Sequence, residues 1–239
     1  MKRICIFALV LSVALAFYSC SNGKTNNSEV KSIINEFSKA MIEGTFENAI
    51  KVCTGEVKYN IENNEQEIHG FKFINVDTTI ETNNSNYAAA HASIEYENQG
   101  VVDVTFYKIY LVKKENKTLI YKIEEEDPAV IEGESSNKNE EDIKKIFQEY
   151  MKAIEDKNYT DGGKYLIGRA RKNHIMTQEF IKKADLVKDI KNIKLENILT
   201  NSKISIDKVE YENQGRKINI LLSSYKTGQG WRIYNVSQI

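Results

Sequence analysis

The sequence predicts an α+β protein with two tandem cone-like domains, each with N-terminal helices packed on a curled antiparallel sheet. The first observation behind this prediction is the hexapeptide Glu-Tyr-Glu-Asn-Gln-Gly, which occurs unchanged at residues 95–100 and 210–215. The second is a change of period that happens twice, from the helical spacing of apolar residues to the alternation typical of strands. Two copies of a unit of about 100 residues account for both observations.

The composition is that of a folded protein. Apolar residues make up 41% of the 239-residue chain, which is enough for packed cores in one large or two small domains. A single proline and twelve glycines argue against a disordered or fibrous protein. Charged residues balance to a net charge of -1, so no overall field favours nucleic acid, and we expect no nucleic-acid partner.

Residues 1–19 are predicted to be a signal peptide. A basic start precedes an apolar run at residues 4–18, which is short for a membrane span of about 20 residues. The Phe-Tyr-Ser-Cys segment that ends at Cys20 resembles the lipobox of bacterial lipoproteins. This resemblance implies that Cys20 becomes the diacylated first residue of the mature protein, followed by a tether at residues 20–27. We therefore expect a lipid anchor in the membrane and a location in the cell envelope, outside the cytoplasm.

The first repeat is predicted at residues 28–126. Its apolar residues are spaced for a long helix that Gly44 ends, followed by a short helix from Phe46. A polar, loop-like stretch at residues 58–68 precedes strands of period two. Because the apolar phase slips after Phe106, we expect a β-bulge there.

An acidic linker at residues 127–139 is predicted to separate the repeats, because it contains the single proline and has little apolar periodicity. The second repeat, residues 140–239, restarts the pattern. The matching helical stripes are Val30, Ile33, Ile34, Phe37 and Met41 in the first repeat and Ile143, Ile146, Phe147, Tyr150 and Ile154 in the second. The second repeat also has an expected extra helix, with Thr177 as its N-cap.

Three segments carry a resemblance to a known fold. They are residues 39–49, residues 152–159 and the closing Gly-Trp-Arg-Ile of residues 230–233. Together they resemble the nuclear transport factor 2-like (cystatin-like) cone fold, and within it a domain family of unknown function found in bacterial lipoproteins. That fold hosts isomerases, dehydratases and binding modules, so the resemblance decides no chemistry.

The resemblance also implies where a site would be. Enzymes of this fold place a carboxylate and a tyrosine or aspartate donor inside the cone. Tyr96 and Tyr211 fall on the inferred inner faces and are candidate pocket-lining residues. Asp103 and Asp207 are expected to face outward, which argues against an enzyme.

The histidines and cysteines predict no metal site, and we expect no cofactor. His69, His91 and His174 lack any ligand spacing, and His91 is expected to be solvated. Cys53 stands alone in the predicted mature chain, which favours a small buried hydrophobic residue.

A basic segment in the second repeat is a candidate anion-binding patch. Its members are Arg169, Arg171, Lys172, Lys182 and Lys183. Outside a cell, anionic partners are lipid headgroups and wall polymers. The alternative is a solvated face with scattered lysines.

These observations favour a non-catalytic, envelope-anchored binding or assembly lipoprotein with envelope proteins or anionic polymers as partners. One alternative is a protein that binds or senses a small apolar molecule in a cone pocket, and another is an isomerase-like or dehydratase-like enzyme. The two repeats are also expected to pair as an intramolecular pseudo-dimer. The interior of the cones distinguishes the alternatives: a filled interior favours an assembly module, an open apolar cavity favours a ligand, and a buried carboxylate that faces tyrosine favours an enzyme.

Overall fold

The computed structural model describes residues 26–63, 70–128, 136–184 and 187–239. Cys20, His69 and the predicted signal peptide lie outside these residues. The first half contains α1 (Asn27–Glu43), α2 (Phe46–Lys51), α3 (Gly55–Asn63), β1 (Lys72–Asn83), β2 (Tyr87–Asn98), β3 (Val101–Lys114) and β4 (Lys117–Glu125).

The second half repeats this order after a 3-10 turn at Asn137–Asn139. It contains α4 (Glu140–Glu155), α5 (Tyr159–Gly162), a 3-10 turn at Gly163–Tyr165, α6 (Gly168–Ala184), β5 (Lys191–Thr200), β6 (Ile204–Asn213), β7 (Arg216–Thr227) and β8 (Gly230–Gln238). Each half forms a four-stranded antiparallel sheet in sequential strand order. Helices preceding two antiparallel sheets confirm the predicted α+β class.

The repeated hexapeptide forms the same hairpin turn in both sheets. Gln99 and Gly100 have φ values of 54° and 81°, and Gln214 and Gly215 have φ values of 53° and 73°. Two central residues with positive φ are the geometry of a type I′ turn, whose twist matches the flanking strands. The glycine is the residue that adopts this conformation most readily.

The helices of the first half cover one face of its sheet. Asn26 caps α1 by accepting the Ser28 N–H, and Gly44 ends it with a left-handed φ of 77°. Between these caps Val30 and Ile34 are fully buried against the sheet. α1 is therefore held by the stripe that its sequence predicts.

The helix that precedes each sheet begins at equivalent glycines. Gly55 and Gly168 have positive φ values of 58° and 52°. The expectation of a loop at residues 58–68 is wrong for residues 58–63, which belong to α3. Only Ile61 of α3 is buried, so the segment has little apolar periodicity to reveal a helix.

The helix that was expected to be extra in the second half is α6, the counterpart of α3, and it is longer than predicted. α6 begins at Gly168, so Thr177 is an interior residue and not its N-cap. The Thr177 hydroxyl donates to the Asn173 carbonyl oxygen at 2.8 Å, a local bond that threonine makes within helices as well as at their ends.

The predicted β-bulge near Phe106 is wrong. β3 pairs with β2 without interruption from Val101 to Val112, and the register shift lies against β4, between Tyr110 and Leu111. The apolar phase changes because the covering layer changes. Phe106 packs in a cluster with residues of the second half, whereas Leu111 packs under the helices of the first.

The two halves contact each other through this cluster and the polar groups around it. The cluster contains Val104, Phe106, Ile167, Ile204, Tyr225 and Tyr234. Ser93 and Tyr225 share a hydrogen bond of 2.9 Å between their hydroxyls, and Lys203 lies 3.0 Å from Asp77.

The side chain of Glu95 is buried between the halves. It accepts the Gly228 N–H at 3.4 Å and lies 3.6 Å from the Lys203 ammonium. Its counterpart Glu210 instead pairs with Lys217 on the surface of the second half. The two copies of the hexapeptide thus have the same backbone and different surroundings.

Candidate functional site

A cavity of about 320 Å³ lies between α6 and the part of the first sheet next to the β2–β3 turn. We call it the first-domain cavity. The lining side chains used below are Phe71, Tyr96, Asp103, Thr105, Tyr107, Arg169, Arg171, Lys172 and Ile175. The sheet and the segment after β4 belong to the first half and α6 to the second, so the cavity has walls from both.

Asp103 lies inside this cavity, not on the outer face as predicted. It is directly opposite Tyr96 in the β2–β3 register, so both side chains are on the face that α1 covers. Val102 and Val104 are on the other face of the sheet. Val104 instead packs in the cluster between the halves.

Three donors hold the Asp103 carboxylate. Oδ1 accepts the backbone N–H of Gly168 at 2.7 Å and that of Val104 at 2.8 Å. Oδ2 lies 3.4 Å from Nη1 of Arg171, and both of these side chains are more than four-fifths buried. Asp103 thus acts as a cap for α6, supplied by the other half of the molecule, at the end where the helix dipole favours a negative charge.

Burial shifts the protonation of the cavity groups. It raises the pKa of the Asp103 carboxyl, and the two N–H donors and the Arg171 guanidinium counteract part of that rise. Burial, followed by the nearby Asp103 and Tyr107, also raises the pKa of Tyr96. At neutral pH the Tyr96 hydroxyl therefore keeps its proton and can donate a hydrogen bond.

The walls are aromatic and the rim carries charges of both signs. Phe71 stacks on Tyr96 with ring centroids 5.5 Å apart and an interplanar angle of 15°. The acidic rim residues are Glu125, Glu126 and Asp127, and the basic ones are Arg169 and Lys172. Arg169 lies 3.4 Å from Asp127, so part of this charge is paired internally. The cavity is thus suited to a ligand with an apolar body and polar groups of low net charge.

The structure separates the members of the predicted basic patch. Arg169, Arg171 and Lys172 line the first-domain cavity together with the predicted pocket residue Tyr96. Lys182 and Lys183 lie in the last turn of α6 and are exposed. The predicted pocket and the predicted patch, which were separate predictions from the sequence, therefore meet in this cavity with four of their residues.

Tyr211 lies in a packed core. Its ring makes an edge contact with Phe147, with centroids 5.7 Å apart. Asp207, which was expected to face outward, is fully buried on the same side of the sheet. Its carboxylate accepts the Asn197 amide at 2.7 Å and the Ser205 hydroxyl at 2.9 Å. Tyr96 of the first half lines a cavity, whereas Tyr211, its counterpart in the second half, lies in a filled core.

A second cleft, of about 350 Å³, lies between the halves on the other face of the first sheet. His91 lines it and is one-fifth exposed, not fully solvated as predicted, because its Nδ1 lies 2.7 Å from Glu126 Oε1. Nearby, Lys108 and Glu81 form an ion pair of 2.7 Å. Within the described residues, no three His, Cys, Asp or Glu side chains are grouped to hold a metal ion.

Comparisons with known proteins return fold neighbours only. No family model matches the chain, and no curated protein matches it. One solved structure, described as an Ntf2-like protein involved in plasmid conjugation, is 11% identical over 87% of this chain and 94% of its own, with a TM-score of 0.31. Another, a cystatin-like protein from Ruminococcus gnavus, is 9% identical over 89% and 93%, with a TM-score of 0.27. At these scores neither likeness carries an argument about function.

Among the helices that the structure describes, none is long and apolar enough to cross a membrane. The lipid anchor at Cys20 stays a prediction from the sequence.

The position of Asp103 could have been predicted from the hexapeptide. A two-residue hairpin at Gln99-Gly100 fixes the register, so Tyr96 must pair with Asp103 and share its face. The contribution of Arg171 had no such signal, because it comes from the other half of the chain.

Proposed function

We propose that this protein is a non-catalytic binding lipoprotein of the cell envelope that holds a small ligand in the first-domain cavity. The observation that carries the proposal is the cavity itself, with aromatic walls and a carboxylate that is already engaged by Gly168, Val104 and Arg171. Such walls exclude water from an apolar body, and a few fixed polar groups orient it.

A buried carboxylate beside a tyrosine, as at Asp103 and Tyr96, is the arrangement expected of an enzyme, but the bonding of Asp103 supports binding over acid–base catalysis. A general base has to reach the proton that it removes. Asp103 is anchored through two backbone N–H groups and a guanidinium, so turning it towards a substrate would leave the first turn of α6 and Arg171 without their partner. The residue is better suited to hold α6 over the cavity.

The chemistry of the lining indicates the class of ligand. Phe71 and Tyr96 offer aromatic surface, and the Tyr96 hydroxyl and the Arg171 guanidinium offer donors. Since the rim mixes carboxylates with cations, a neutral or zwitterionic molecule with an apolar body fits better than a multiply charged anion. The packed interior around Tyr211 suits a supporting or assembly role for the second half.

The anchor is tested by metabolic labelling with a radioactive fatty acid. Cells that express the parent chain are expected to label the protein in the envelope fraction, and Cys20→Ala is expected to abolish the label. A parent chain that takes up no label would remove the envelope part of the proposal and leave the cavity untouched.

The cavity is tested with the fluorescent probe 8-anilinonaphthalene-1-sulfonate, which has an aromatic body. Thr105 lines the first-domain cavity and Thr79 lines the cleft between the halves, so Thr105→Trp and Thr79→Trp each fill one of them. We expect Thr105→Trp to abolish the fluorescence gain and Thr79→Trp to preserve it. Arg171→Gln should weaken binding about tenfold, the value of one hydrogen bond from a charged group.

The reverse pattern would be evidence against the proposal. Loss of probe binding in Thr79→Trp with retention in Thr105→Trp would place the site in the cleft that contains His91. Unchanged binding in both variants would show that the probe occupies neither cavity.

A further inference from the structure

α6 presents large apolar side chains to solvent. Ile175, Met176 and Phe180 are exposed by 56%, 67% and 66%. Their spacing places them on one side of the helix. On the opposite side His174 is only 4% exposed and bonds the Tyr159 carbonyl oxygen at 2.9 Å. The side of α6 with His174 thus packs on the second half, and the described residues do not cover the opposite side.

The same exposed side is basic. Arg169, Lys172, Lys182 and Lys183 are exposed on α6, and Glu179 is the acidic residue of this helix. A helix that combines apolar and basic residues on its free side is typical of a protein that binds at a membrane surface. The apolar groups insert at the headgroup boundary, and the cations attract anionic lipid.

We propose that α6 docks its Ile175–Phe180 face on a bilayer that contains anionic lipids. Charge complementarity selects this occupant: Lys172, Lys182 and Lys183 against the one carboxylate of α6 match phosphate headgroups, and the long lysine side chains reach them while their stems cover apolar surface. The docked face borders the first-domain cavity, because Ile175 belongs to both. The proposal shares the membrane location with the proposed function and does not depend on the ligand.

The contact is measured by placing a tryptophan in the proposed face. Phe180→Trp is made in the full chain, and the protein is bound to vesicles of phosphatidylglycerol with brominated acyl chains or to brominated phosphatidylcholine vesicles. The single native tryptophan, Trp231, is 4% exposed and is thereby shielded from the bromine quencher. We expect strong quenching of the introduced tryptophan in phosphatidylglycerol and little in phosphatidylcholine.

Two matched controls separate α6 from the rest of the surface. Tyr59, on α3, is an exposed aromatic residue at 64%, so Tyr59→Trp reports contact elsewhere and should stay unquenched. Replacing Lys172, Lys182 and Lys183 together by glutamine should weaken the association of α6 with phosphatidylglycerol roughly a hundredfold. The same change at the exposed lysines of the β3–β4 hairpin should have no effect; these are Lys113, Lys114 and Lys117.

The outcomes are decisive in both directions. Because any lipid anchor is the same in all variants, a difference in quenching between tryptophans at positions 180 and 59 reports the orientation of the bound protein. Equal quenching at the two positions, or an unquenched tryptophan at position 180 in phosphatidylglycerol, would overturn the proposal. Far-UV circular dichroism checks that the variants, all at exposed positions, keep the fold.

Discussion

At the scale of single residues, the two inner aspartates differ in what surrounds them. Asp103 is held by backbone N–H groups and an arginine. Asp207 is held by the neutral donors Asn197 and Ser205 and has no exposed surface. Burial raises the pKa of Asp207, and these two hydrogen bonds offset only part of the rise. Ionisation of Asp207 should therefore lower the free energy of unfolding.

The first prediction concerns this ionisation. Below the unfolded pKa of about 3.9 both states of the protein hold the Asp207 proton. As the pH rises towards the higher folded pKa, only the folded state retains it, so the free energy of unfolding falls. Above the folded pKa the loss is complete. Asp207→Asn cannot ionise, and its stability should therefore fall less than that of the parent over this range.

The measurement is urea denaturation at a series of pH values for the parent and Asp207→Asn. Asp161→Asn is a suitable control, because a lysine and Asn158 lower the pKa of this exposed carboxylate. Its effect on the pH profile should have the opposite sign. Parallel profiles for the parent and Asp207→Asn would mean that Asp207 titrates alike in the folded and unfolded states.

At the scale of elements, α3 and α6 begin with the same local structure but make different contacts. A strand-like contact precedes each helix: Cys53 bridges Ile120 in the first half, and Leu166 bridges Ile233 in the second. A glycine with positive φ then turns the chain into the helix. α3 remains within the first half, whereas α6 contacts both β8 of its own half and β3 of the other. The longer helix thus joins the two halves.

The second prediction compares these two glycines. A Cβ at Gly55 would meet no atom within 4 Å, whereas a Cβ at Gly168 would lie 3.1 Å from the Val104 carbonyl oxygen. Gly55→Ala should cost about 1–2 kcal/mol of stability, the strain of a left-handed alanine. Gly168→Ala also adds a close contact with the backbone of Val104, which adjusts less easily than a side chain. Its loss of unfolding free energy in chemical denaturation should therefore be larger than that of Gly55→Ala. Equal losses would show that β3 and α6 adjust freely.

The elements also show what the sequence could and could not predict. The long helices and the sheets follow from the local periods of apolar residues, and these were predicted. α3 was missed because only Ile61 in it is buried. The inner position of Asp103 was missed because alternation in β3 was interpreted with one covering layer. Since Val104 and Phe106 are covered by the other half, the apolar alternation in β3 does not assign their face, and only the register of the hexapeptide hairpin does.

At the scale of the whole molecule, the two copies of the hexapeptide are identical in sequence but lie in different surroundings. Glu95 is 3% exposed between the halves, close to Lys203 and Gly228. Glu210 lies on the surface beside Lys194 and Lys217. A symmetric pairing of the repeats would have given both glutamates one environment. The first sheet therefore uses its outer face for contact with the second half, and the second sheet leaves the equivalent position to solvent.

The third prediction tests this asymmetry with two identical substitutions. Glu95→Ala removes the carboxylate beside Lys203 and the acceptor of the Gly228 N–H. It should destabilise the protein by about 2 kcal/mol. This is less than the cost of breaking a fully buried pair, because Lys203 is partly exposed and keeps its contact with Asp77. Glu210→Ala breaks surface ion pairs, which contribute little, so its loss should be much smaller.

Calorimetry extends the same comparison to the coupling of the halves. If the cluster around Phe106 and Tyr225 couples them, the parent and Glu210→Ala should each unfold in one cooperative transition. Glu95→Ala weakens the contact between the halves and should broaden this transition or divide it in two. Equal effects of the two substitutions would mean that the halves do not depend on each other for stability. In that case the wall that α6 provides for the first-domain cavity would not be held in place by the surrounding interface, and Asp103 would have to hold it alone.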